Sequence, residues 1–407
     1  MPDVFALDAS LLQMHWFVPT VLIVSLLNAG VMSILLGVSV MNLMRFARLP
    51  RTETLRDNPD APTVAVLIPA RNEERCIERC VRSVCSQTYA NYEVIVLNDA
   101  SSDATGEILS RLSAEFAHLR VIDGSPLPEG WVGKSWACHQ LSQQTQADIL
   151  LFTDADTWHE STTIARSVAF LTEKRLAMFS MVPFQVLSSF GEHIVIPMVH
   201  VLYFSYLPNS LIMSNPRVSL SAANGQFMCF SRAGYEAIGG HTAVWNSLVE
   251  DVFLARSVKS AGLRIALVDG TDAVTCHMYT GAREVTEGFS KNLFPATQYN
   301  LPVTLLFLGH LLLTYAAPIV TLVLGLTLAA TAQQSVIIQT SAYALLCAAL
   351  IRLMISVRFR MPLWHAAVQP ITALWTVFIG LNSIRWAYSS RGSQWKGRSY
   401  ARIGGDS

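Results

Sequence analysis

The chain has 407 residues and a formal net charge of zero, with 52% hydrophobic and only 14% charged residues. A balanced charge argues against an electrostatic nucleic-acid-binding protein. Residues 9–44 and 292–351 contain no Lys, Arg, Asp or Glu, and each segment exceeds the ~20 apolar residues that span a bilayer. The composition therefore predicts a membrane protein with a polar middle.

The N-terminal apolar segment is too long for the core of a signal peptide, and the acidic Asp3 and Asp8 precede it instead of a basic region. We expect residues 1–45 to remain as a transmembrane anchor. Four arginines follow its apolar part: Arg45, Arg48, Arg51 and Arg56. The positive-inside rule then places the polar middle in the cytoplasm, where nucleotide-activated substrates are available.

The polar middle, residues 60–298, alternates short β-branched apolar runs with stretches of helical periodicity. The runs predict strands over residues 63–70, 92–99, 119–124 and 147–156. Between them, apolar spacing predicts helices that include residues 107–116 and 135–144. This alternation is typical of an α/β fold with a doubly wound, mostly parallel sheet, in which ligands bind outside the carboxyl ends of the strands.

Polar side chains follow the predicted strands at these carboxyl ends. Arg71, Asn72 and Glu73 follow the first strand, and Asp99 ends the second. Taken singly, each group has an ordinary interpretation, as an acidic helix start or an Asx-rich turn. Their shared position at strand ends predicts instead that they line one rim of the sheet.

The string GWVGKSWA, residues 130–137, does not have the spacing of a P-loop, so a nucleotide-hydrolase interpretation is rejected. Lys134 lies at a predicted helix start, where backbone amides favour anions. We expect it to contact a phosphate; the alternative is an ordinary solvated lysine.

The fourth strand ends in LLFTDADTWHE, residues 150–160. Asp154 and Asp156 are suited to a divalent cation, which prefers oxygen ligands. Thr157 and Glu160 have the S/T-x-x-E spacing of a capping box, which predicts that the next helix begins there. Both interpretations can hold, with the two aspartates on the rim and the helix directly after them.

Residues 186–214 are apolar and aromatic-rich but interrupted by Gly191, Pro197 and Pro208. Two interpretations stay open: an interfacial segment where a lipid enters, or core packing of an insert. His193 and His200 within it are spaced unlike a metal pair and are expected to be structural.

The C-terminal apolar region, residues 301–388, predicts one long span over residues 301–330 and another over 336–355. The last stretch, residues 363–384, is interrupted by Gln369, Pro370 and Asn382. If it crossed, the basic tail over residues 389–407 would lie outside, against the positive-inside rule. We therefore favour a re-entrant or interfacial segment.

The seven cysteines are scattered and form no C-x-x-C pair: Cys76, Cys80, Cys85, Cys138, Cys229, Cys276 and Cys347. This pattern predicts free thiols in a reducing compartment and disfavours a zinc site.

Six strings, taken together and in order, resemble the family-2 glycosyltransferases, inverting enzymes with a nucleotide-sugar-binding GT-A fold. They are PARNEE, LNDASSDAT, PLPEGWVGKSWA, ILLFTDAD, NGQFMCFSR and LVEDVFLARSVKSAG, and the resemblance covers residues 64–294. PLPEGWVGK, EGFSKNLF and WKGRSY make the chain most similar to membrane-bound enzymes that act on isoprenoid lipids, the chlorobactene (carotenoid) glucosyltransferases and the hopene-associated glycosyltransferases.

The resemblance implies a role for each matching residue. The nucleotide-sugar-binding residues would be Pro69, Ala70, Arg71, Glu73, Asp99, Lys134, Asp154 and Asp156. Within this set, Asp99 would accept from the base, Lys134 would approach the diphosphate, and Asp156, with Asp154 beside it, would contact Mg²⁺ or Mn²⁺. Asp251 would be the catalytic base, with Glu250 next to it.

The chain departs from the family pattern at two places. Asn98 replaces the first of two aspartates in LNDAS. Where processive polysaccharide synthases have Q-x-x-R-W, this chain reads FSKNLF, which argues for a single transfer and leaves Arg283 or Lys291 as candidates to support the leaving diphosphate.

We therefore expect a multi-pass enzyme of the cell (inner) membrane that transfers one sugar, from UDP-glucose, to a hydroxyl of a carotenoid, hopanoid or other isoprenoid lipid. Its partners would be the nucleotide sugar, the lipid acceptor and the membrane, and no nucleic acid. The alternatives are a processive polysaccharide synthase and a non-catalytic nucleotide-sugar-binding scaffold. A transporter is disfavoured because ionisable residues are nearly absent from the apolar segments.

Overall fold

A computed structural model describes residues 6–51, 61–328, 332–389 and 393–400, so Arg56 lies outside the described part of the chain. The strands are β1 Val64–Ala70, β2 Tyr92–Asn98, β3 Leu119–Asp123, β4 Ile149–Thr153, β5 Thr157–His159, β6 Met178–Val182, β7 Phe184–Gln185, β8 Phe227–Ser231, β9 Ile265–Asp269, β10 Val274–Cys276, β11 Ser393–Trp395 and β12 Arg398–Tyr400.

The α-helices include both the helices that cover the sheet and the long apolar helices at the two ends of the chain. They are α1 Ala6–Arg45, α2 Ile77–Cys85, α3 Thr105–Glu115, α4 Gly133–Ser142, α5 Thr163–Glu173, α6 Phe190–Tyr206, α7 Arg232–Ala237, α8 Glu250–Ser260, α9 Ala282–Ala296, α10 Leu301–Leu311, α11 Ala317–Thr327, α12 Ala332–Arg358 and α13 Gln369–Tyr388.

Seven of the described strands form one sheet in the order β3-β2-β1-β4-β8-β6-β9. All neighbours pair in parallel except β8, which runs antiparallel to β4 and β6. The chain adds β2 and β3 on one side of β1 and then returns to place β4 on the other side. This reversal opens a crevice beyond the carboxyl ends of β1 and β4, the place where ligands bind in such sheets.

The sheet forms because its strands are apolar on both faces and are covered on both faces. In β1, six of the seven residues are buried, as expected for a central parallel strand. Helix α2 presents the buried stripe Ile77, Val81 and Val84 to one of the two apolar clusters around the sheet. The predicted doubly wound sheet is confirmed, and its first four strands begin and end within three residues of the predicted bounds.

The prediction that Thr157 and Glu160 begin a helix is wrong. Residues 157–159 form strand β5, which pairs antiparallel with β10 so that Thr157 lies opposite Cys276. The Thr157 hydroxyl donates to the Asp154 carbonyl at 2.8 Å, and α5 begins only at Thr163. The partner strand is more than 100 residues away along the chain, so the local capping pattern could not reveal it.

Four helical segments among the described residues are long and apolar enough to cross a membrane: Trp16–Arg45, Leu301–Thr327, Ala332–Arg358 and Leu363–Tyr388. The second contains a π-helical turn between α10 and α11. At the end of α12, Arg358 donates to the Phe46 carbonyl at 3.0 Å and pairs with Asp269 at 2.8 Å. The ends of α1 and α12 therefore meet at the α/β domain.

The last segment lies against the α/β domain along its length. His365 is hydrogen-bonded to His193 of α6 at 2.9 Å, Trp375 donates to Thr286 of α9 at 3.1 Å, and Asn382 donates to Ser290 of α9 at 2.9 Å. Its length and composition would suit a span, and the interfacial or re-entrant arrangement stays a prediction.

Helix α6 accommodates Pro197 within residues 186–214 and buries most of its side chains. It packs against α1, α9, α12 and α13. This supports the core-packing interpretation of the segment, but α6 also forms one wall of the cavity described below. All seven cysteines are free, as expected.

Candidate active site

A cavity of about 840 Å³ opens at the carboxyl ends of β1, β2 and β4. Ten of its lining residues are those singled out in the sequence: Pro69, Ala70, Arg71, Glu73, Asp99, Lys134, Asp154, Asp156, Glu250 and Asp251. They come from five separate stretches of the chain, which the fold brings together at this cavity.

The loops after β1 and β2 are joined by side-chain and backbone hydrogen bonds. Arg71 donates to the carbonyls of Asp99, at 2.5 Å, and Ala100, at 3.1 Å. Asn72 has a positive φ of 53° and accepts from the Ser102 amide at 2.8 Å. These bonds fix one edge of the cavity and hold the buried Asp99 at its base.

Lys134, in the first turn of α4, forms ion pairs with acids of two other elements. Its Nζ lies 2.7 Å from Oδ1 of Asp154, after β4, and 2.9 Å from Oε1 of Glu250, at the start of α8. Burial would lower the pKa of Lys134, but the two carboxylates outweigh it and raise the pKa well above its usual value. Lys134 is therefore an ion-paired cation of the cavity lining, and its contact with a phosphate stays a prediction.

Asp251 lies beside Glu250 and accepts two backbone hydrogen bonds. The Gly225 amide donates to Oδ2 at 2.9 Å, and the Val252 amide donates to Oδ1 at 2.8 Å. Burial, and then the charge of Glu250, raise the pKa of Asp251 to about 6. A carboxylate held in one orientation with such a pKa can accept a proton near neutral pH.

Gly225 allows the approach of these charged groups. A Cβ there would lie 3.1 Å from Nζ of Lys134, 3.5 Å from Glu250 and 3.6 Å from Asp251. The glycine of the NGQF string thus has a steric role that the sequence did not reveal.

Asp156 also lines the cavity, and in the described part of the chain no cation forms an ion pair with it. Burial, followed by the charges of Asp154 and Glu73, raises its pKa to about 7. Its Oδ1 accepts a weak hydrogen bond from the Cys276 thiol at 3.5 Å. In the described part of the chain, no group of three or more His, Cys, Asp or Glu side chains could hold a metal ion by itself.

The cavity also has an apolar wall. It is formed by Ile196, Val199 and Tyr203 of α6 together with Met278 and Phe289. A molecule with both a polar end and an apolar body matches this division.

The two cations proposed near the leaving group differ in position. Lys291 of α9 lines the cavity, and burial lowers its pKa to about 8. Arg283 is 89% exposed and pairs with Glu287 at 2.8 Å. The structure therefore retains Lys291 and removes Arg283 from the candidates.

Lys396 and Arg398 belong to the WKGRSY string, for which the sequence predicted no site role. Both residues line the cavity and form ion pairs with acids of the rim. A Lys-Gly turn between short polar segments was the only local signal for this hairpin.

Residues 65–239 match the sequence model of a family described as glycosyl transferase family 2. The 4,4'-diaponeurosporenoate glycosyltransferase of Staphylococcus haemolyticus is 26% identical over 249 residues, which cover 58% of this chain and 63% of that protein. The beta-monoglucosyldiacylglycerol synthase of Trichormus variabilis is 37% identical over 123 residues, 30% of this chain and 25% of that protein. The matches thus span less than two thirds of either relative.

Among solved structures, the fold is similar to that of the mannosyltransferase PcManGT from Pyrobaculum calidifontis, determined in complex with GDP-Man and Mn²⁺. The TM-score is 0.51 at 17% identity, and the alignment covers 90% of this chain and all of that one. The GT-A fold expected from the sequence is confirmed by this similarity and by the family match.

Proposed function

Because residues 65–239 form a glycosyl transferase family 2 domain, we propose that this protein is a membrane-bound inverting enzyme that transfers one sugar from a nucleotide sugar to a lipid hydroxyl. The observation that supports this most is the position of Asp251. It is an oriented, half-buried carboxylate in a cavity that is lined by both charged and apolar side chains.

The donor side consists of the loops after β1, β2 and β4. Pro69, Ala70, Arg71 and Glu73 border the nucleoside, Asp99 accepts from the base, and Lys134 approaches the diphosphate. The position of Lys134 at the start of α4 supports the last assignment, because helix amides favour an anion at that point.

The residues that would hold a divalent cation are Asp156 and Asp154. Two carboxylates are enough for Mg²⁺ or Mn²⁺ when substrate phosphates supply further oxygens, so Asp154 and Asp156 are suitable ligands for a divalent cation. The raised pKa of Asp156 indicates a site whose negative charge a cation would relieve. When bound, the cation supplies Lewis-acid stabilisation of charge on the diphosphate.

In the reaction, the acceptor oxygen forms a bond to the anomeric carbon as the bond from that carbon to the β-phosphate oxygen breaks. The electron pair stays on the nucleoside diphosphate. Asp251 takes the proton of the acceptor hydroxyl, and its two backbone hydrogen bonds keep the carboxylate directed for that transfer.

The apolar wall of α6 supports a lipid acceptor, and the names of the relatives favour a carotenoid or a glycolipid. We assign UDP-glucose as donor and a carotenoid, hopanoid or related isoprenoid as acceptor. FSKNLF in place of Q-x-x-R-W supports a single transfer. The long apolar helices and the arginines after α1 support a multi-pass protein of the cell (inner) membrane with a cytoplasmic catalytic domain.

The pKa of Asp251 predicts the acidic side of the pH profile. The base works as the carboxylate, so kcat/KM should fall roughly tenfold per unit below about pH 6. The measurement is the initial transfer rate from pH 4.5 to 8 at saturating divalent cation. A rate that does not fall between pH 6 and 4.5 would contradict the assignment of Asp251 as base.

Replacing Gly225 tests the close packing of the charged groups. Gly225→Ala places a methyl group 3.1 Å from Nζ of Lys134. Because this methyl group would displace the charged side chains around it, we expect kcat/KM to fall on the order of tenfold. The melting temperature should change little, because the adjustment is local. Gly30→Ala is the matched control, since no atom lies within 4 Å of its added methyl group.

Incubation of membranes with labelled UDP-glucose, Mg²⁺ or Mn²⁺ and a lipid extract tests the function. Mass spectrometry should find a lipid that has gained one hexose. A growing polymer would select a processive synthase, and nucleotide-sugar binding without transfer would select a non-catalytic scaffold.

A further inference from the structure

The C-terminal hairpin, β11 and β12 with the turn at Lys396 and Gly397, lies in the cavity although it follows the last apolar helix. Lys396 and Gly397 have φ values of 46° and 77°, the left-handed pair that a two-residue hairpin turn requires. This turn directs Lys396 and Arg398 toward acids that end strands some 300 residues earlier in the chain.

The hairpin is attached to the rim by charged and backbone contacts. Lys396 pairs with Glu73, and Arg71 donates through Nε to the Lys396 carbonyl at 3.1 Å. Arg398 binds both carboxylate oxygens of Asp99, the second at 2.7 Å. Its guanidinium also touches Gly133, the first residue of α4, so that a Cβ at this glycine would collide with it.

The charges in the cavity suggest what these cations do. A leaving nucleoside diphosphate needs positive groups, yet Lys134 is already shared by Asp154 and Glu250. Among the other described cations of the lining, Arg71 is directed to backbone carbonyls and Arg75 to Glu284. Lys291 remains a further candidate, although burial lowers its pKa to about 8. The hairpin adds two cations beside the start of α4, where an anion is favoured.

We propose that Lys396 and Arg398 are donor-binding residues that exchange their ion pairs with Glu73 and Asp99 for the diphosphate of the nucleotide sugar and stabilise the charge it gains on leaving. This inference rests on the proposed function. The bond that breaks leaves its electron pair on the β-phosphate oxygen, and charge-assisted hydrogen bonds from an ammonium and a guanidinium group are suited to that oxygen and its neighbours.

The experiment compares ligands with and without phosphates on the full-length protein in detergent or nanodiscs. Calorimetry measures the affinity for UDP and for uridine, or for GDP and guanosine if the wild type binds those instead. Lys396→Ala and Arg398→Ala should each weaken nucleoside diphosphate binding about tenfold or more, and nucleoside binding less than threefold. Lys396→Arg, which keeps the charge, should retain most of the affinity.

A surface lysine provides the control, because Lys174 pairs only with Glu173 through its side chain and lies away from the cavity. Lys174→Ala should bind both ligands like the wild type. Unchanged or tighter UDP binding in the hairpin variants would overturn the proposal, as would an equal loss for UDP and uridine. A wild type that binds neither nucleoside diphosphate would contradict the proposed function itself and the hairpin's role with it.

Discussion

Asp251→Asn should lower kcat about 10²- to 10⁴-fold while the affinity for the nucleotide sugar stays within about threefold of the wild type. The amide has the size of the carboxylate, and its oxygen can still accept from the Gly225 amide, which lies 2.9 Å from Oδ2 in the wild type. It cannot take the acceptor proton. The loss should therefore appear in the chemical step, measured as initial transfer rates at saturating donor together with donor binding by calorimetry.

Asp148→Asn is the matched control for this variant. Asp148 directly precedes β4, at the end of the strand that is opposite the cavity. Its carboxylate accepts hydrogen bonds from the Thr63 amide at 2.8 Å and from the Thr63 hydroxyl at 2.7 Å. Its replacement should leave kcat unchanged. An Asp251→Asn enzyme that keeps more than a tenth of the wild-type kcat would show that another group accepts the proton.

Asp156→Asn should reduce kcat/KM on the order of 10²- to 10³-fold and remove the dependence on divalent cation, because Asp156 is the principal protein ligand in our assignment. Chelation of the wild type with EDTA should abolish transfer, and added Mn²⁺ should restore it. Binding of Mn²⁺ in the presence of UDP, measured by electron paramagnetic resonance, should be lost in the variant. Retained Mn²⁺ binding would contradict the role of Asp156.

The melting temperature of the Asp156→Asn variant tests whether Asp156 serves the site or stabilises the fold. Its carboxylate is buried near Asp154 and Glu73, and these surroundings raise its pKa to about 7. Removing the charge should therefore leave the melting temperature unchanged or raise it, since an uncompensated buried charge is unfavourable. If Asp156 stabilised the fold, its replacement would lower the melting temperature. Asp148→Asn again serves as the control.

The sequence predicted the central part of the fold because that part is encoded locally. Strands β1 to β4 are short apolar runs, and the alternation with helices determines that their carboxyl ends share one rim. From this alone Arg71, Asp99 and Asp154 could be expected near one another. Asp251 and its role required the resemblance to a known family, because an acid in the first turn of a helix is also an ordinary helix start.

The features that the sequence could not predict depend on contacts between residues that are far apart in the chain. Thr157 joins a strand rather than a helix because its partner, Cys276, is more than 100 residues away. Lys396 and Arg398 belong to a tail that reads as a basic extension, and only the packing of α13 against α9 returns it to the cavity. Arg283 and Lys291 lie on the same helix, α9, and only the tertiary packing shows that Lys291 lines the cavity while Arg283 is exposed.

The linkage formed in the product tests the central claim most directly. The sugar of UDP-glucose is α-linked to the diphosphate, and direct displacement assisted by a single base inverts that configuration. Nuclear magnetic resonance of the purified glycolipid should therefore show one β-linked hexose on a lipid hydroxyl. An α-linked sugar, or a chain of several sugars on one lipid, would contradict the account.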